Sequence, residues 1–92
     1  AQTLAAALVG ARLAACVNIL APCTSVYRWQ GAVETTTEVP LLIKTTPARY
    51  AELEAAIRAH HPYELPEIVS VPVTQGLPAY IDWVAAETAA AE

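Results

Sequence analysis

Apolar positions along the chain change period repeatedly, and each change marks a new element. Leu4, Leu8 and Val9 form a helical stripe among alanines, and Gly10 is the expected stop, where a left-handed residue ends the first helix. After Arg12 the run Cys16-Val17-Asn18-Ile19-Leu20 reads as a strand, with a bulge expected near Ala21-Pro22. Val26-Tyr27-Arg28-Trp29 and Val33 through Thr37 flank Gln30-Gly31-Ala32, a short glycine-bearing link between antiparallel strands. The second arm of this hairpin is expected to run on through Glu38-Val39 to Leu41-Leu42-Ile43-Lys44. Pro40 within it lacks a ladder donor and predicts a bulge or an exposed edge.

The downstream half returns to a helical period. Thr46-Pro47 is the expected helix start, with the Thr46 side chain as cap and Pro47 at the first helical position. Tyr50, Leu53 and Ile57 line one face, Glu54 and Arg58 pair four residues apart, and the helix runs to His60. Ile68-Val69-Ser70-Val71-Pro72-Val73 alternates as a strand, placed near an edge or bulge by Pro72 and closed by Gln75-Gly76. Pro78 starts a last helix whose apolar face is Leu77, Tyr80, Ile81 and Val84, with Trp83 beside it, and 89–92 forms a fraying tail. The order of helix, strand, strand, helix, strand, helix predicts an α+β two-layer sandwich rather than a doubly wound sheet.

Composition adds a second requirement. The chain has 92 residues, enough for a single domain over 1–92 with one core. Hydrophobic residues make up 55% and charged residues 15%, below the roughly 25% usual for soluble domains. Such a surplus of apolar side chains predicts a subunit interface. The net charge is −4, and the five basic residues form no run, which argues against nucleic-acid binding. No apolar run approaches a membrane span, and Ala1-Gln2-Thr3 lacks the basic start of a signal peptide. A soluble, cytoplasmic protein with reduced Cys16 and Cys23 is the expectation.

Chemistry concentrates in His60-His61-Pro62-Tyr63-Glu64-Leu65-Pro66-Glu67-Ile68, which holds both histidines of the chain. Imidazole and carboxylate together suit copper or zinc, although the spacing matches no compact ligand signature. On the competing reading these side chains cap a helix end and solvate a loop. Cys16 is a candidate soft ligand, but its apolar neighbours predict a buried, inert thiol, while Cys23 beside Pro22 is expected to be exposed. Lys44, Arg28 and Glu67 are candidates to line a cleft between subunits for a small anionic ligand. No nucleophile–base–acid set is present to make an enzyme.

Several stretches together resemble the CutA divalent-cation tolerance proteins. They are Arg12 through Ile19, Thr24 through Trp29 with Gly31, Leu41 through Thr45, His61-Pro62-Tyr63-Glu64, Pro66-Glu67-Ile68, Pro72-Val73, Gly76, Tyr80 and Trp83. The resemblance implies a ferredoxin-like βαββαβ fold related in shape to the PII signalling proteins. It also implies a homotrimer paired through long β-hairpins, and a role with copper or another divalent metal. His60 and Glu67 fall at positions implicated in copper binding in bacterial members; Cys16 and His61 are weaker candidates, by the chemistry of their side chains alone. In the family a strand precedes the first helix and lies inside the sheet, so about ten further residues carrying it and a third ligand are expected upstream of Ala1. The leading reading is a trimeric copper-binding protein of metal tolerance. The competing reading is a PII-like signalling or scaffold trimer that binds a small ligand or partner in its inter-subunit cleft.

Overall fold

The computed structural model describes residues 1–60 and 65–90. Helix α1 (Gln2–Gly10) is followed by strands β1 (Cys16–Ile19), β2 (Cys23–Trp29), β3 (Ala32–Glu38) and β4 (Leu41–Lys44). A 3-10 turn at Pro47–Arg49 leads into α2 (Tyr50–His60), and α3 (Pro78–Glu87) comes last. Leu4 and Leu8 of α1, Leu13 and Ala14 of the connection, and Leu53 of α2 form the buried cluster. Val17 of β1, Leu41 and Ile43 of β4, and Ala56 and Ile57 of α2 pack onto it, so the two helices cover one face of the β1–β4 pair. Val9 falls past the edge of the α1 stripe and is exposed, and Ala5 is buried in its place.

The end of α1 differs from expectation in one instructive way. Gly10 closes the helix, but the left-handed residue is Arg12, with φ 61°. The Arg12 N–H donates to the Val9 carbonyl and the Leu13 N–H to the Leu8 carbonyl, which is a Schellman motif with Leu13 and Leu8 as its apolar contact. A side chain in this conformation costs about 1–2 kcal/mol relative to glycine. The arginine has a compensating task, because its Nη2 and Nε donate to the carbonyls of Ala86 and Ala89 at 2.8 and 3.0 Å. These bonds and the Thr88 hydroxyl, which donates to the Val84 carbonyl at 2.8 Å, close the carboxyl end of α3. Arg12→Ala is therefore expected to cost about 1–2 kcal/mol and to speed amide exchange in α3. Arg12→Gly should cost less, because it relieves the backbone, and urea denaturation of the two variants checks the order.

The hairpin is broken where proline stands, rather than running as one arm. β2 pairs β3 in antiparallel register from Cys23↔Glu38 to Trp29↔Ala32, and β1 pairs β4 from Cys16↔Lys44 to Ile19↔Leu41. Pro22 and Pro40 fall between the two ladders, and Pro40 has no N–H to carry either one onward. Its carbonyl still accepts from the Leu20 N–H at 3.0 Å and holds the halves in line. At the tip only Gln30 and Gly31 form the turn, with φ 51° and 83°, the signature of a two-residue type I′ connection. All seven residues of β3 are exposed, and Val26 and Val33 are each 66% exposed.

Three further expectations need correction. Ile68–Val73 forms no strand, although its alternation is strand-like, because no neighbouring strand pairs with it among the described residues. Val69, Val71 and Val73 are accordingly exposed. The Thr46 side chain makes no cap bond; its carbonyl accepts from the Arg49 N–H and starts the helix as a 3-10 turn, with Pro47 at the expected place. Leu77 flanks α3 and is exposed, and the helix buries Val84 instead. The face of Tyr50, Leu53 and Ile57 is confirmed, with Leu53 fully inside.

Candidate metal site

Helix α2 buries Leu53, Ala56 and Ile57 on one side, and at its start Arg49 of the 3-10 turn pairs with Glu52 at 2.9 Å. It ends on His60, which is exposed. The ring Nδ1 lies 2.9 Å from the Ala56 carbonyl, one turn back along the helix. A carbonyl only accepts, so Nδ1 carries the proton and donates. In the neutral ring the Nε2 lone pair is then the one left for a metal, and the bond fixes the tautomer as a ligand position requires.

Glu67 follows the half-buried Pro66 and is exposed. His61 and Glu64 lie outside the described residues. Among the described residues no group of three or more His, Cys, Asp or Glu side chains is gathered for a metal. His60 offers a nitrogen donor and Glu67 an oxygen donor, and no described contact joins the two. A shallow pocket of about 160 Å³ lies between Glu54 and Arg58 of α2 and Leu65, Pro66 and Ile68, and neither His60 nor Glu67 lines it.

Cys16 is placed apart from this end of α2. Cys16 stands opposite Lys44, which precedes the 3-10 turn into the amino end of α2, whereas His60 is at the other end of that helix, whose axis is roughly 15 Å long. Since Val17, Leu41 and Ile43 face the core, Cys16, Asn18 and Lys44 project from the opposite, uncovered side of the sheet. Cys16 is half-buried there, not inside the core as its apolar neighbours had suggested. The side chain of Asn18 joins the three: its Oδ1 accepts from Lys44 Nζ and lies 3.9 Å from Cys16 Sγ. Sequence reasoning passed over Asn18, although a polar residue alternating with Val17 and Ile19 was the signal. Cys23 is an exposed thiol, 3.9 Å from the Ser25 hydroxyl, and both cysteines are free. Within the single chain, Lys44, Arg28 and Glu67 are on the lining of one broad concavity of about 2360 Å³, together with many apolar side chains, which is not the cleft between subunits that was expected.

The family model described as CutA1 divalent ion tolerance protein matches residues 1–87. The divalent-cation tolerance protein CutA of Thermus thermophilus is 49% identical over 96% of this chain and 85% of its own. The CutA homolog of Xenopus laevis is 45% identical over 91% of this chain, which spans 56% of that protein's length. Among solved structures, the Thermus thermophilus protein superposes with a TM-score of 0.92 at 48% identity, covering 96% of this chain and 85% of that one. The CutA of Xylella fastidiosa superposes with a TM-score of 0.91 at 45% identity, covering 97% and 86%. The one from Archaeoglobus fulgidus, described as periplasmic, has a TM-score of 0.90 at 34% identity over 96% and 85%. No helix of the described residues is long and apolar enough to cross a membrane. With its ferredoxin-like, PII-like α+β fold, protruding hairpin and carboxyl-terminal helix, the chain belongs to the CutA1 family of divalent ion tolerance proteins.

Proposed function

We propose that this protein is a cytoplasmic homotrimer that binds divalent copper, or a similar ion, through His60 and Glu67 and contributes to metal tolerance. The observation that carries the metal assignment is the His60 Nδ1 bond to the Ala56 carbonyl, which holds Nε2 as an available donor at an exposed helix end. Relatives named for divalent-cation tolerance give the physiological setting. The trimer is supported by the hairpin: a two-stranded ribbon open on both faces is marginal in water and gains stability by pairing with copies of itself. The competing reading, a signalling or scaffold trimer, draws on Arg28, Lys44 and Glu67 around one cleft.

Copper titration by calorimetry separates the two readings. His60→Ala is expected to weaken Cu(II) binding by roughly tenfold or more, as loss of a principal ligand does. An unchanged affinity would remove His60 from the site and favour the cleft reading.

A further inference from the structure

On the side of the β1–β4 pair away from the helices, a thiol and an amine stand directly opposite one another, since Cys16 pairs with Lys44 in the antiparallel register. Residues so paired have Cβ atoms about 4.5–5.5 Å apart, within reach of a lysine side chain. A third residue holds them together. On the same face, Asn18 Oδ1 accepts from Lys44 Nζ and lies 3.9 Å from Cys16 Sγ, so one amide oxygen gathers amine and sulfur around a shared point. Both side chains are half-buried, and Cys16 is a free thiol. Cys23 provides the contrast, because it is exposed, faces Glu38 across the β2–β3 ladder and has the Ser25 hydroxyl 3.9 Å away. Lys44 is the only lysine of the chain, and it stands at Cys16.

We infer that Cys16 and Lys44 form a redox modification site, at which hydrogen peroxide joins thiol and amine in a covalent sulfenamide between β1 and β4. The Cys16 sulfur attacks one peroxide oxygen and the O–O bond breaks, giving a sulfenic acid and one water. The Lys44 nitrogen then attacks that sulfur, the S–O bond breaks, and the hydroxide leaves as a second water with a proton from the amine. Sulfur loses two electrons, peroxide gains them, and the protein ends two hydrogens lighter. Sulfenic acids condense in this way with a backbone nitrogen, and an amine is a stronger nucleophile. The link holds Cys16 short of the irreversible sulfinic stage. A thiol reverses it by attacking the sulfur and releasing the amine, and a second thiol then reduces the mixed disulfide.

Peroxide treatment of the Cys23→Ser protein tests the inference, because Cys16 is then the only thiol. Intact mass without reductant should fall by about 2 Da and return to the starting value with dithiothreitol. Tryptic digestion should yield the segment 13–28 joined to the segment 29–49, left uncut after Lys44. Adding Lys44→Arg keeps the positive charge beside Asn18 but removes the amine nucleophile, and this protein should instead gain about 32 Da as the sulfinic acid. Equal sulfinic acid with and without Lys44→Arg would overturn the inference. So would a Cys16 that stays a thiol at peroxide concentrations that oxidise Cys23 in the unsubstituted protein.

Discussion

Shortening Leu8 to alanine is expected to lower stability by about 3 kcal/mol, the largest loss predicted for a single core truncation in this chain. Leu8 is 1% exposed, and two roles meet at it. Its side chain joins Leu4, Leu13, Ala14 and Leu53 in the buried cluster, while its carbonyl accepts from the N–H groups of Leu13 and Ala14 that close α1. The truncation leaves a cavity under a rigid helix end that the Schellman turn keeps from collapsing, which puts the cost in the middle of the range for buried leucines. Against a total stability of roughly 5–15 kcal/mol, such a loss shifts the melting temperature by about 12–24 °C. Calorimetric scans of both proteins at one concentration check it, because melting of an oligomer depends on concentration. Val9→Ala is the internal control. Val9 is 42% exposed and should change little.

The second large effect is expected on assembly. Val26 pairs with Thr35 and Val33 with Arg28, so the two valines sit diagonally on one face of the hairpin, each 66% exposed. Replacing both with aspartate places two like charges on that face without touching the core. If the proposed trimer forms through the hairpin, light scattering should move from three times the 9.8 kDa chain mass to a single chain. The charges cost little in an isolated chain but several kcal/mol when desolvated between subunits. A variant that keeps the parent mass would place the interface elsewhere. The apolar surplus would then need another explanation.

Much of this architecture is written locally, and those parts were legible. The stripe of Tyr50, Leu53 and Ile57 and the glycine-bearing turn at Gln30-Gly31 each follow from a few neighbouring residues, and Pro40 announced a disturbed ladder although the arm was expected to run on through it. The family motifs then supplied the order in which the elements assemble. What escaped depends on distant partners. Nothing near Arg12 announces that its guanidinium closes a helix 74 residues downstream, so glycine at position 10 looked like the better left-handed stop. Ile68–Val73 has the right alternation but is a strand only when another strand lies beside it. At the candidate site, the position of His60 at a helix end was readable, and its bond to the carbonyl four residues back is of the local kind. The side to which Cys16 points was not read, because apolar neighbours on a strand face the other way from the residue between them.

The central claim is that His60 binds the metal through Nε2. Pulsed electron paramagnetic resonance of the Cu(II)-loaded protein tests it most directly, since a coordinated imidazole reveals itself through modulation from its remote ring nitrogen. The account predicts a single imidazole signature that is lost in His60→Gln and retained in His61→Gln. Survival of that signature in His60→Gln would contradict it.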